Sequence, residues 1–150
     1  MEMNIKKLGG TVVIWLAICL FIGKASAESS KYELGSLMAQ YIESQDLIFQ
    51  LRSTKCGYLI KIKIKNYDEL KSEIYASIYP KLNDKERIEL SNIYDAQFQR
   101  LHQANKITLE KNLKLYSDNG IDDKSACGLL VGSVSPQFQK ALNNWERVTR

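Results

Sequence analysis

The chain has 150 residues, 21 Lys and Arg against 17 Asp and Glu, a net charge of +4, and 45% hydrophobic residues. A balance this even, with no large clustered basic excess, gives no footing for nucleic-acid binding. The length supports one domain with one core, and a single His with three Cys leaves little material for metal or imidazole chemistry.

The N-terminus carries Lys6 and Lys7 against Glu2, then an apolar run from Thr11 to Ile22, then Ala25-Ser26-Ala27. This order predicts a secretory signal peptide over 1–27, cleaved after Ala27, and a mature protein of the periplasm or the exterior. The apolar run falls short of the roughly 20 residues that span a bilayer. Leu16-Ala17-Ile18-Cys19 has the spacing of a lipobox, so lipidation at Cys19 is the competing expectation. Against it, Ile18 stands where a small residue is required, and the apolar run continues past the cysteine. Removal of Lys6, Lys7, Lys24 and Glu2 with the leader lowers the net charge to about +2.

The remainder, 28–150, reads as one helical domain, because its prolines and glycines are too few for a turn-rich all-β fold. Ser30 and Glu33 have the spacing of a capping box. Leu34, Leu37, Met38, Tyr41, Ile42, Ile48 and Leu51 then follow mostly three or four apart, one amphipathic helix of about twenty residues. Next, Ile60-Lys61-Ile62-Lys63-Ile64-Lys65 alternates with the period of a strand. With no second strand to pair with, it is either an extended piece lying on the helices or a distorted continuation of the following helix, which the neighbouring sequence favours.

Asn66, with Glu69 three along, opens a second helix whose stripe is Leu70, Ile74 and Ile78, and Pro80 should end it. Asn83, with Glu86, opens a third helix of about nine turns, striped by Leu90, Tyr94, Phe98, Leu101, Leu109, Leu113 and Tyr116. Asn105 interrupts that stripe and suggests a bend. Asp118-Asn119-Gly120 is a stop. Asp122 or Asp123 caps a short fourth helix carrying Cys127 and Leu130, and Ser135-Pro136 opens a short fifth with Phe138, Leu142 and Trp145 on its apolar side. The expected architecture is all-α, a four- to five-helix bundle.

Cys56 and Cys127 remain after the leader is removed, and in an exported domain they are expected to form one disulfide. Two buried free thiols are the alternative. A metal pair lacks imidazoles to complete it.

Catalytic patterns are weak. The chain has no phosphate-cradling glycine loop, no Gly-x-Ser-x-Gly elbow and no His-Glu-x-x-His pair. His102 reads as a solvated or half-buried helix residue rather than a base. Glu86 with Glu89, and Asp122 with Asp123, read as helix-start chemistry rather than paired catalytic acids. Asp118, Asp122 and Asp123 lack the other ligands of a calcium loop. The chain is therefore expected to be neither an enzyme nor a holder of cofactor or metal.

Partner contact is the better-supported expectation. Tyr75 and Tyr79 widen the stripe of the second helix, and tyrosine suits interfaces because it offers large area at low entropy cost. The alternative is that both rings complete the core. Lys55, Lys61, Lys63 and Lys65 form the one basic cluster, suited to an acidic protein surface or to anionic lipid headgroups, unless it is simply a solvated face. The candidate partner-binding residues are thus Lys61, Lys63, Lys65, Tyr75 and Tyr79.

A long amphipathic helix running into Cys56-Gly57-Tyr58, followed by a later helix carrying Cys127, resembles the pilotin-like proteins of bacterial type II secretion. It is also similar in class to the periplasmic immunity proteins that neutralise type VI secretion effectors. The first resemblance implies an exported helical binding module assisting a secretion machine, and the second an inhibitor that blocks a toxin or enzyme. An uncharacterised hydrolase is a third and weaker expectation.

Overall fold

The computed structural model describes residues 28–150, with side chains from Glu33 onward. The expected leader, its expected cleavage site and Cys19 lie outside the described residues. Four α-helices and two short 3₁₀ turns make up the regular structure among the described residues. The helices are α1 (Glu28–Arg52), α2 (Tyr67–Ile78), α3 (Asp84–Asp118) and α4 (Asp123–Thr149).

α1 is the axis of the bundle. It packs most extensively against α4 and next against α3. Tyr41, Ile42, Ser44, Gln45, Asp46 and Ile48 are all buried, and at about 100° per residue they cover roughly 200° of the helix circumference. A helix buried over more than half of its circumference, with polar residues among the buried ones, shows no clean division into polar and apolar faces, so its sequence gives a weaker amphipathic signal than its burial would suggest. Ser30, expected as a cap, stands inside this helix, which already begins at Glu28.

α1 ends in a tight chain reversal. Ser53 N–H donates to the carbonyls of Phe49 and Gln50 at 3.2 and 3.0 Å. Thr54 Oγ1 donates to Leu51 O at 2.6 Å and accepts from Cys56 N–H at 3.1 Å. Gly57 is required here, because a Cβ at that position would lie 2.2 Å from the Arg52 carbonyl oxygen. A 3₁₀ turn over Gly57–Leu59 follows.

The segment 60–65 is neither strand nor helix. It is an extended strap. Ile60 is buried, and Ile62 and Ile64 pack on the second apolar cluster, while Lys61 and Lys63 face solvent. The alternation is therefore satisfied by one apolar wall, and no partner strand is needed. The favoured expectation of a helical continuation fails because Asn66 is an N-cap. Its side chain accepts from Glu69 N–H at 2.9 Å, and Glu69 accepts from Asn66 N–H at 2.9 Å. That capping box fixes the helix start one residue beyond the strap.

α2 ends at Ile78, and Pro80 lies in a 3₁₀ turn over Tyr79–Lys81. Asn83 and Glu86 form a second capping box. α3 runs unbroken through Asn105. It closes with Gly120 at φ 72°, Ile121 N–H bonded to Tyr116 O and Gly120 N–H bonded to Ser117 O. These two bonds are the Schellman closure that a left-handed glycine permits.

The C-terminal region is one helix, not two. Asp122 caps it, and Pro136 lies inside it. An internal proline costs about 3 kcal/mol, through a lost hydrogen bond and a clash with the carbonyl four residues back. Here the apolar stripe crosses the proline without a break, from Ala126, Cys127, Leu130 and Val134 to Phe138, Ala141 and Trp145. Burying Phe138 and Trp145 on the far side yields about 1.5–3 kcal/mol or more per large side chain, which outweighs the proline. Pro136 itself is exposed.

The disulfide joins Cys56 and Cys127, with Cα atoms 5.1 Å apart. Both cysteines belong to the second of two apolar clusters, with Ile48, Leu51, Leu109, Leu130 and Phe138. The first cluster gathers Met38, Ile42, Leu70, Ile74, Leu90, Tyr94 and Trp145. No helix among the described residues is long and apolar enough to cross a membrane.

Candidate functional site

A buried polar layer lies between the two apolar clusters along α1. Ser44, Gln45, Asp46 and Gln50 from α1 and Asn105 from α3 are all buried. Burying polar groups is tolerable only when they are hydrogen-bonded, and most of these are.

Asp46 is the centre. Its side chain is 1% exposed, while that of His102 is 35% exposed. Asp46 Oδ1 lies 2.6 Å from His102 Nδ1, and its Oδ2 accepts from Asn105 Nδ2 at 2.7 Å. Gln50 Nε2 also lies 2.9 Å from His102 Nδ1. Nδ1 cannot both donate to Asp46 and accept from Gln50. The Gln50 amide has its own acceptor, the His102 carbonyl at 2.7 Å. Nδ1–H therefore belongs to the carboxylate. The apparent fault in the α3 stripe is thereby explained, since Asn105 faces inward to hold Asp46.

A second network adjoins the first. Tyr41 Oη donates to Glu73 Oε2 at 3.1 Å and accepts from Lys65 Nζ at 2.9 Å and Gln45 Nε2 at 3.1 Å. Lys65 pairs with Glu73 at 2.5 Å. Burial pushes the Tyr41 hydroxyl upward, with the Lys65 ammonium opposing it. Burial alone would lower Lys65, but its bonds to Glu73 and Tyr41 outweigh that and raise it.

Between these networks is a cavity of about 70 Å³, lined by Phe49, Tyr67, Leu70 and Phe98 with Gln45, Asp46, Lys65, Asn66 and His102. Phe98 lies nearly parallel to the His102 ring, with centroids 6.1 Å apart. Tyr67 meets Phe98 edge-on at 4.5 Å and donates its hydroxyl to Asp95. Burial first, then that bond, lifts Tyr67 to about 12. The lining includes no Ser, Thr or Cys. Among the described residues no group of three metal-ligating side chains gathers.

The five residues singled out from the sequence separate in space. Tyr75 and Tyr79 stack on each other at 4.6 Å and pack against the first apolar cluster. Tyr75 also meets Tyr94 edge-on at 5.5 Å, and Tyr79 Oη is 2.5 Å from Ser91 Oγ. The cation over Tyr75 is Lys71, at 5.6 Å, which also sits 5.7 Å from the Tyr67 and Tyr94 rings and pairs with Asp95 at 2.6 Å. That ammonium, then Tyr67, holds the Asp95 carboxyl below its ordinary range. Lys65 is half-buried and paired, and Lys55 pairs with Asp123. Lys61 and Lys63 remain, exposed on the strap, together with exposed Arg52 at the end of α1.

A shallow groove of about 270 Å³ runs between Gln40, Glu43, Ser44 and Leu47 of α1 and Val134, Gln137, Lys140 and Ala141 of α4. Burial, then the nearby Asp46 charge, raises the Glu43 carboxyl above its ordinary value.

Sequence reasoning missed Asp46, Gln50 and Asn105 as a unit, and it read His102 as a solvated or half-buried helix residue without its partner; the side chain is 35% exposed. One signal was available. Gln45, Asp46 and Gln50 stand within a helix whose apolar residues occur on every side, so at least one of them had to be buried and in need of a partner. No protein-family model, curated protein or solved structure matches the chain.

Proposed function

We propose that this protein is an exported, non-enzymatic helical binding module of the bacterial envelope, which meets an acidic protein surface through the strap 60–65. The observation that carries this reading is the strap itself. Lys61 and Lys63 are exposed and make no ion pair among the described residues, and three isoleucines on the opposite side anchor them to the bundle. The disulfide holds the segment's origin at Cys56. Charges presented on an immobilised backbone lose little entropy on docking, and they set on-rate and orientation. Exposed aromatic surface lies on the same stretch of chain, with Tyr58 54% and Phe49 40% exposed. The Tyr75 and Tyr79 rings contribute to core packing in this reading and act on binding only by holding α2 in place.

A secretion-machine component and a toxin are both compatible with such a surface, and the identity of the partner separates an assembly factor from an immunity protein. Photo-crosslinking from position 61 in intact cell envelopes tests the reading. A discrete protein adduct, lost when Arg52 and Lys63 are both replaced by Glu, supports it. Absence of any adduct at 61 and 63, with the protein folded and exported, rules out the strap as the contact.

A further inference from the structure

The strap is fixed at both ends and free in the middle. At its start, Ile60 N–H donates to Gly57 O at 3.1 Å, and the disulfide holds Cys56 just upstream. At its end, Lys65 Nζ binds Tyr41 Oη at 2.9 Å and Glu73 at 2.5 Å, and the Asn66–Glu69 capping box starts α2. Between these anchors, residues 61–64 make no backbone hydrogen bond among the described residues. Backbone N–H and C=O groups are too costly to bury unpaired, so these are left to water. The backbone is extended at both ends, with ψ 100° at Ile60 and φ −74°, ψ 176° at Asn66, and it bends once, at Ile62. Lys65 N–H turns toward Gln45 Oε1 of α1, 3.4 Å away. In extended backbone successive amides point to opposite edges, so the Ile64 amide turns to the edge away from α1.

Extended backbone with unpaired N–H and C=O groups along an edge is a template for strand addition. We infer that the strap is the docking edge for an extended acidic segment of the partner, which adds to it as a strand with Ile64 at the centre of the pairing. The inference rests on the reading of the strap as the partner contact and specifies how that contact is made. Side chains set the chemistry of the incoming segment. Lys63 and Lys61 stand on the solvent side two positions apart, so acidic residues at alternate positions meet them, one opposite Lys63 and the next reaching Lys61 across the bend. The residues between turn to the other face, beside the half-buried Ile62 and Ile64, where apolar β-branched side chains extend the layer those isoleucines begin. A second copy of the strap does not fit as the occupant, because it would set lysine opposite lysine. The strap is already held in place, so docking has to order only the incoming segment.

Two end-blocked acidic peptides of identical composition and length serve as probes. One alternates glutamate and valine, and the other carries its glutamates in a single block. NMR titration of ¹⁵N-labelled protein at low salt reads both the affinity and the amide hydrogen exchange. The alternating peptide should bind about tenfold tighter or more, the value of a pair of backbone bonds, and should slow exchange at the Ile64 amide. Equal affinity for the two peptides, no slowing at Ile64, or no binding by either overturns strand addition. The photo-crosslink from position 61 reads the partner contact separately, so an adduct there beside such a result leaves the acidic-surface reading standing. Changing the Ile64 amide to an ester keeps the side chain and removes only the N–H. That variant should keep the parent's Tm, because the amide has no internal partner, and should lose about fivefold in affinity for the alternating peptide, the value of one hydrogen bond. An unchanged affinity, or a lowered Tm, would show that this amide is not the pairing edge and would overturn the proposal.

Discussion

Replacing Asp46 with Ala probes the polar layer most sharply. The substitution removes a side chain that is 1% exposed and accepts from two donors. Asn105 Nδ2, donating at 2.7 Å, is left buried without an acceptor, which costs about 1–3 kcal/mol. His102 is 35% exposed, so its Nδ1–H can turn to water and adds little. Two charge-assisted bonds are lost, each worth about 1.5–3 kcal/mol, and much of that is offset because the carboxylate no longer has to be desolvated. The net expectation is a loss of about 2–4 kcal/mol, or a fall in Tm of roughly 10 °C for a domain of this size. Urea unfolding followed by circular dichroism measures it. Asn105→Ala should cost about 2 kcal/mol for the complementary reason, an unmet carboxylate oxygen. The double variant should be more stable than the sum of the two losses predicts, by about 1 kcal/mol or more. Strict additivity, or an Asp46→Ala variant as stable as the parent, would refute the assignment of Asp46 and Asn105 as a buried pair.

Other outcomes follow from the same structure. Glu43 has a carboxyl raised by burial and by Asp46, so the folded state holds this proton more tightly than the unfolded chain does. Its contribution to stability is greatest below pH 4.5 and declines as pH rises from there through the higher folded value. Glu43→Gln should therefore raise Tm at pH 7 and flatten the fall in stability above pH 4.5, as measured by thermal melts across pH. Cys127→Ser opens a cross-link spanning 71 positions and should lower stability by about 2–5 kcal/mol. Non-reducing peptide mapping of the parent should show a single Cys56–Cys127 linkage. Gly57→Ala forces a methyl group to within 2.2 Å of the Arg52 carbonyl. It should destabilise the turn after α1, seen as faster amide exchange at Ser53 and Thr54, whereas Gly128→Ala, with open space around its Cβ position, should not.

Much of the fold could be read from the chain, because its signals were local. Asn66–Glu69 and Asn83–Glu86 are capping boxes written within four residues, and the structure has both. The 3.6-residue stripes of α2 and α3 announced their buried faces. Three features that local rules did not resolve share one cause, the dominance of tertiary burial over local preference. Pro136 is a helix start by local rules, yet the stripe from Val134 to Phe138 carries α4 through it. Ile60 to Lys65 has the period of a strand, but its apolar side leans on Leu109 and its neighbours rather than on a second strand. Asn105 interrupts the apolar stripe because its partner, Asp46, lies 59 positions away, and no local pattern links the two. The candidate site was less legible still, since it depends on which polar positions of α1 are buried, which is a property of the assembled bundle.

Charge reversal on the strap bears most directly on the central claim. Lys61→Glu with Lys63→Glu alters two exposed side chains that make no ion pair among the described residues, so helical circular dichroism and Tm should match the parent. The measurement is the affinity of each protein for the partner identified by crosslinking, across a range of salt concentrations. The account predicts at least a tenfold loss of affinity at low salt, shrinking as salt rises, because exposed charges separated by about 10 Å are screened at 0.1 M. An affinity unchanged by the double reversal and insensitive to salt would contradict it.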